Sequence, residues 1–177
     1  MTAPISVVIP TLNACEALAG TLGALLPALT AGLVRELVVA DGGSADRTLE
    51  IADEMGARLV AGVPGRAGLL ACGLAAARGD WLLVLEPGPR PAGDWCRALA
   101  RHMAGRADRA GYFPLSPATP GAGLRLRANR AVPRLMRPLP QQGLLVARRL
   151  LDRAATGPGL PDLPRRCFVP LAAVMEL

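Results

Sequence analysis

Through the first 90 residues, short apolar runs alternate with stretches of helical character, and each run stops at a polar or glycine-rich turn. The runs are Ile5-Ser6-Val7-Val8-Ile9, Leu37-Val38-Val39-Ala40, Arg58-Leu59-Val60-Ala61 and Trp81-Leu82-Leu83-Val84-Leu85. Between them the spacing predicts helices over about Cys15 to Leu26, through Leu49, Ile51 and Ala52 to Met55, and over about Ala67 to Ala77. Ser44 or Asp46 can cap the second of these, and Gly56 and Gly79 supply stops. Strands apolar almost throughout must be covered on both sides, and strand–helix–strand order makes neighbouring strands parallel. The expected fold is α/β, a Rossmann-type, mostly parallel sheet with helices on both faces.

Beyond residue 90 the pattern loosens. Asp94 to Met103 and Leu144 to Ala155 read as helices, while the prolines of 113–140 predict irregular connections and edge strands. With 177 residues and no internal repeat, one domain over 1–177 is expected, divided into a first half, 1–91, and a second half, 92–177.

Charge is distributed unevenly along the chain, with the change close to that division. Residues 1–94 hold 6 Arg against 10 acidic residues, whereas residues 95–177 hold 14 Arg against 4, a net of +10. Arg125, Arg127, Arg130, Arg134 and Arg137 form the densest group. Such a half attracts anionic partners: a lipid headgroup, a phosphorylated or lipid-linked acceptor, or an acidic protein. Two Trp, one Tyr and two Phe offer few stacking platforms and argue against a nucleic acid partner. No run reaches the ~20 apolar residues of a membrane span, so the expected location is cytoplasmic, with peripheral membrane contact through the arginines. Cys15, Cys72, Cys96 and Cys167 are widely separated and accompanied by a single histidine, His102. They read as buried thiols rather than a zinc site or disulfide framework, and His102 reads as a partly exposed surface residue. Trp81 and Trp95 read as packing residues, with Trp95 also able to line an acceptor groove.

In an open parallel sheet, ligands bind beyond the carboxyl ends of the strands. Those ends carry Pro10-Thr11-Leu12-Asn13, Asp41-Gly42-Gly43-Ser44-Ala45-Asp46-Arg47-Thr48, Gly65-Arg66-Ala67 and Glu86-Pro87-Gly88-Pro89-Arg90-Pro91. Asp41 can accept hydrogen bonds from a base imide or a ribose hydroxyl, and Gly42 and Gly43 let the backbone approach a ligand. Arg66 presents a planar donor fork suited to phosphate, and Thr11 offers a hydroxyl. Taken singly, the glycines fit a tight turn with a helix cap, and Arg66 a solvated surface position.

In order and spacing these segments resemble the family 2 glycosyltransferases of the GT-A fold, of the small stand-alone bacterial type. Those enzymes open with a PTxN segment, a VDGGSTDxT segment and a GRA or GKA segment, and the resemblance covers residues 4–91 best. It implies a nucleoside diphosphate sugar as ligand, held by Pro10, Thr11, Asn13, Asp41, Gly42, Gly43 and Arg66, and transfer of the sugar to an acceptor. It also implies Mg²⁺ or Mn²⁺, which an Asp-x-Asp motif after the fourth strand holds against the diphosphate. Here the motif reads Glu86-Pro87-Gly88, leaving Glu86 alone to hold a metal.

Farther on, Pro140-Gln141-Gln142-Gly143 resembles a GDQG-like segment. The family's acidic pair, which includes the general base of an inverting transfer, falls on Cys167 and Phe168. Asp162 is the nearest carboxylate and the candidate for that catalytic role. Two other functions compete with sugar transfer: a catalytically inactive nucleotide-binding paralogue, and a membrane-surface or partner-binding module using the fold as scaffold.

Overall fold

A computed structural model describes residues 3–116, 138, 140–154, 163 and 167–177. Its core is the predicted succession: β1 (Ile5–Thr11), α1 (Cys15–Thr30), β2 (Val34–Asp41), α2 (Thr48–Glu54), β3 (Arg58–Ala61), α3 (Arg66–Ala76) and β4 (Trp81–Val84). There follow β5 (Arg90–Ala92), α4 (Trp95–Gly105), β6 (Ala110–Tyr112), a 3-10 turn over Pro140–Gln142, β7 (Leu144–Ala147), α5 (Arg148–Ala154), β8 (Phe168–Pro170) and β9 (Val174–Glu176). Seven strands form one sheet in the order β3-β2-β1-β4-β7-β6-β8, and β5 pairs with β9 in a second. The sheet is parallel from β3 through β4. It turns mixed where β7 runs antiparallel to both β4 and β6.

Strand alternation divides the apolar side chains between two layers. Ile5, Val7, Ile9, Leu37, Val39, Leu83 and Leu85 pack with Leu18, Leu22 and Leu25 of α1, Ala52 of α2, and Trp95 and Leu99 of α4. Val8, Val38, Leu82 and Val84 face the opposite way, onto Leu70 and Leu74 of α3 and Leu151 of α5. Gly73 lets α3 lie close to the sheet, since a Cβ there would meet Val8 Cγ1 at 2.6 Å and Ala40 Cβ at 3.2 Å. No described helix is long and apolar enough to cross a membrane.

Four expectations need correction. α1 continues through Pro27 to Thr30 rather than stopping near Leu26; the core burial of Leu25 and Ala28 outweighs the hydrogen bond that proline forfeits. The expected helix over Leu144 to Ala155 begins as a strand, because Leu144–Ala147 pairs with Val84–Trp81 and only the following residues coil. His102 is buried, not at the surface: its Nε2 lies 3.0 Å from the Arg109 carbonyl and its ring stands edge-on to Trp81. Burial pushes its pKa down, the Arg109 carbonyl opposing. The four cysteines are free and half-buried rather than buried. Trp81 and Trp95 both pack in the core.

The strands' amino ends are held by a small polar network. The buried Ser6 hydroxyl donates to Glu36 Oε1 at 2.6 Å and accepts the Gly79 amide at 2.7 Å. Burial alone would raise the Glu36 carboxyl, but the bonds from Ser6 and the Arg78 amide hold it below the usual range. A Cβ on Gly79 would stand 2.6 Å from Ser6 N and 2.7 Å from Pro4 O, both backbone atoms that cannot swing aside. On the exposed side of α1, by contrast, a Cβ on Gly23 would meet nothing within 4 Å. Urea unfolding is therefore expected to show Gly79→Ala destabilised by about 1–3 kcal/mol through overpacking. Gly23→Ala is expected to be stabilised by about 0.5–1 kcal/mol through its better helix propensity.

Candidate functional site

β1 and β2 end side by side, Thr11 opposite Asp41, with the Gly42 amide donating to the Thr11 carbonyl at 2.9 Å. Thr11 is 1% and Asp41 6% exposed, and the Thr11 hydroxyl donates to Asp41 Oδ1 at 2.9 Å. The same oxygen accepts the Ser44 hydroxyl at 2.6 Å, and Oδ2 accepts the amides of Gly43 and Ser44 at 2.9 and 2.7 Å. Four donors occupy the roughly four acceptor positions of one carboxylate. Burial alone would raise the Asp41 pKa, but the bonds from Ser44, Gly43 and Thr11 outweigh it and hold the carboxyl below its usual range. The tight curl needs a glycine at Gly43, whose φ is +98°.

A second set of bonds locks the loop after β1 onto the loop after β2. The Asn13 amide donates to Ser44 Oγ, and Asn13 Oδ1 accepts the Ala45 amide, both at 2.8 Å. Asn13 takes a left-handed φ of 49°, a region asparagine tolerates better than most residues. The Ala14 amide donates to Thr48 Oγ1 at 2.8 Å and the Cys15 amide to Asp46 Oδ2 at 3.2 Å. Asp46 Oδ1 in turn accepts the Thr48 amide, capping the approach to α2. Bonding to the Thr48 hydroxyl, aided by the amides of Thr48 and Cys15, brings the Asp46 carboxyl down to about 2. Most of the expected polar residues here thus bind one another and build a rigid rim.

Arg66 opens α3 directly after Gly65, whose φ is +98°. Its Nε and Nη2 both lie 2.7 Å from Oε1 of Glu86, just past the end of β4. With the strand order β3-β2-β1-β4, this ion pair bridges the carboxyl edge of the sheet from the helix that follows β3 to β4. All four segments therefore share that edge. Strand alternation directs Thr11 and Asp41, like Ile9 and Val39, toward the α1 side, and Glu86, like Val84, toward the α3 side. A Cβ on Gly42 would stand 3.6 Å from Leu12 Cδ1 and from Leu69 of α3.

Two residues of this edge escaped the sequence reading. Leu12 and Val63 are 54% and 63% exposed, large apolar side chains left in water on loops that flank Gly42 and Arg66. The one available signal was an apolar residue inside a polar strand-end turn.

The metal-binding expectation does not fit the residues present. Glu86 is already the partner of a guanidinium, and Gly88 has no ligating side chain. The Gly88 backbone sits at φ +105° with its amide donating to Thr21 Oγ1 at 2.8 Å, a conformation an aspartate would strain to adopt. Among the described residues no group of three or more His, Cys, Asp or Glu could hold an ion. Gln142, in the GDQG-like segment, is buried and donates to the Phe113 carbonyl at 3.1 Å. Cys167 and Phe168 lie at the entry to β8 and bring no carboxylate. Asp162 and the arginines at 125, 127, 130, 134 and 137 lie outside the described residues.

The glycosyl transferase family 2 profile matches residues 6–132. No curated protein matches significantly. Among solved structures the chain is similar to glucosyl-3-phosphoglycerate synthase from Mycobacterium tuberculosis. Its complex with Mn²⁺, uridine diphosphate and glucosyl-3-phosphoglycerate superposes with a TM-score of 0.70 at 25% identity, over 94% of this chain and 68% of that one. The complex with Mn²⁺, uridine diphosphate and phosphoglyceric acid gives 0.67 at 27%, over 89% and 60%. The chain thus spans between 60 and 68% of these relatives' length.

Two outcomes test the rim. Asp41→Ala strands four donors and is expected to cost on the order of 3 kcal/mol in urea unfolding at neutral pH. The stability contributed by the lowered Asp46 carboxyl is present above its ordinary pKa of about 3.9 and lost as pH falls toward 2. Asp46→Asn should accordingly flatten the stability profile of the protein between about pH 4 and pH 2.

Proposed function

The chain belongs to glycosyl transferase family 2, and from that footing we propose that it binds a nucleoside diphosphate sugar at the β1–β4 carboxyl edge and transfers the sugar to an anionic acceptor. The observation carrying this reading is the interlocked rim: a buried, four-times-bonded Asp41 and a paired Asn13 hold the turn at Gly42 and Gly43 in one shape. Such preorganisation is what a polar ligand requires, since a rim that need not order on binding loses less entropy. Pro10, Thr11, Asn13 and Asp41 shape the rim, and Gly42 and Gly43, without side chains, let the nucleoside come close to the turn. Leu12 and Val63 supply apolar walls for its base, and Arg66 meets the diphosphate. The uridine diphosphate bound by the solved relatives makes a uridine nucleotide the first candidate.

The acceptor half lies within 92–177, continuous with the same sheet through the β4–β7 pairing. The net charge of +10 over residues 95–177 suits a phosphorylated or carboxylated acceptor. A solved relative holds phosphoglyceric acid, which makes that compound the first to assay; an anionic lipid headgroup shares the chemistry. In an inverting transfer the chain's own part is to hold the donor, exclude water and accept the acceptor proton, for which Asp162 is the candidate base.

A second reading, donor binding without transfer, is favoured by the absence of a carboxylate at Gly88, Cys167 and Phe168. Titration with UDP-glucose followed by thermal unfolding, with UDP release assayed in parallel, separates the two. Saturation to 100 times the dissociation constant is expected to stabilise the protein by about 2.7 kcal/mol, with glucose 1-phosphate giving no shift. UDP release that depends on phosphoglyceric acid or phosphorylated vesicles supports transfer, and binding without release selects the second reading. No shift with any of UDP-, GDP- or dTDP-sugars would sink both.

A further inference from the structure

We propose that Arg66 replaces the divalent cation as the counter-charge for the donor diphosphate, and that Glu86, instead of ligating a metal, is a latch that holds the Arg66 guanidinium over the strand ends until a diphosphate takes its place. This rests on the donor-site reading above and concerns how that site binds its anion.

Both Nε and Nη2 of Arg66 converge on a single oxygen of Glu86, each at 2.7 Å. That leaves the guanidinium edge engaged while its side chain remains 43% exposed, within reach of an incoming ligand. A cation approaching the Glu86 carboxylate would have to displace the guanidinium already paired with it, and like charges repel strongly at such range. Hard divalent ions also require several oxygen ligands. The neighbouring position that could give a second one is Gly88, with no side chain and a backbone fixed by Thr21. A guanidinium, by contrast, matches two phosphate oxygens with parallel N–H donors and needs no helper. Exchange of Glu86 for a diphosphate swaps one charge-assisted pair for another of higher anionic charge. Arg66 therefore changes partner without ever being left uncompensated.

The test is calorimetric titration of the full chain with UDP and with uridine, each in EDTA and in MnCl₂, for the wild type, Glu86→Gln, Arg66→Gln and Arg66→Lys. Wild-type affinity for UDP is expected to agree within about twofold with and without Mn²⁺. Glu86→Gln should tighten UDP severalfold by removing the competing carboxylate, and leave uridine unchanged. Arg66→Gln should weaken UDP by about tenfold or more, with Arg66→Lys recovering part of it as a point charge without the fork. Thermal unfolding checks that the variants are folded; should Arg66→Gln be unfolded, the Mn²⁺ comparison and Glu86→Gln decide alone. Tightening of wild-type UDP binding by about tenfold or more with Mn²⁺, abolished in Glu86→Gln, would show that Glu86 ligates the metal and overturn the inference while the donor site stands. Weakened UDP binding in Glu86→Gln without Mn²⁺ would overturn the latch. Failure of both UDP and uridine to bind in every condition would remove the donor site itself, and the inference with it.

Discussion

One buried carboxylate organises the functional edge. Asp41 sits where β2 ends, and all it does in this conformation is accept: the Thr11 hydroxyl from β1, and from its own turn the Ser44 hydroxyl with the amides of Gly43 and Ser44. Without these bonds a charge only 6% exposed would be costly. With them, the ends of two parallel strands and the turn that leaves one of them become a single body. The loop after β1 is then fixed in turn, since Asn13 bonds to Ser44 and Ala45 on the turn that Asp41 has shaped. Asp41 therefore positions rather than reaches out: it fixes the backbone around Gly42, with its oxygens already committed.

The two ends of the sheet use polar groups in different ways. At the amino ends, Ser6, Glu36 and the Gly79 amide form a closed set packed so tightly that Gly79 cannot gain a Cβ without displacing backbone. At the carboxyl ends the buried layer of bonds is topped by more exposed groups: Leu12, Val63 and the Glu86-paired guanidinium of Arg66. Exposed apolar side chains beside a polar rim set this end apart from the closed network at the amino ends.

Most of the parallel half was legible in the sequence because its signals are local. β-branched runs such as Val7-Val8-Ile9 define the strands, and Asp41-Gly42-Gly43 or Gly65-Arg66 mark where they must turn. What escaped depends on contacts distant in the chain. Leu144-Leu145-Val146-Ala147 is too short an apolar run to distinguish strand from helix, and only the exposed edge of β4 makes it a strand. His102 shares a helical face with Trp95, Ala98 and Leu99, but its residue type suggests the surface, and only Trp81 and the Arg109 carbonyl show how it is enclosed. The strand-end position of the candidate site residues was legible in the sequence, but not their pairings. No spacing rule announces that Arg66 and Glu86, 20 residues apart, neutralise one another.

That pairing bears on how a family site can change while its fold persists. Loss of a second carboxylate at Gly88 would leave a lone Glu86 carrying uncompensated charge at a partly buried position, 20% exposed by its side chain. Arg66, at the start of α3, balances that charge through its guanidinium. Once the pair exists, restoring a carboxylate at Gly88 becomes harder. The loop has settled at φ +105° with its amide on Thr21, a conformation suited to glycine, and a new aspartate would add backbone strain before gaining any ligand. The ion pair and the glycine thus reinforce each other, and the edge carries a Glu86-paired arginine in a rim that, among the described residues, lacks the carboxylates to cage a metal.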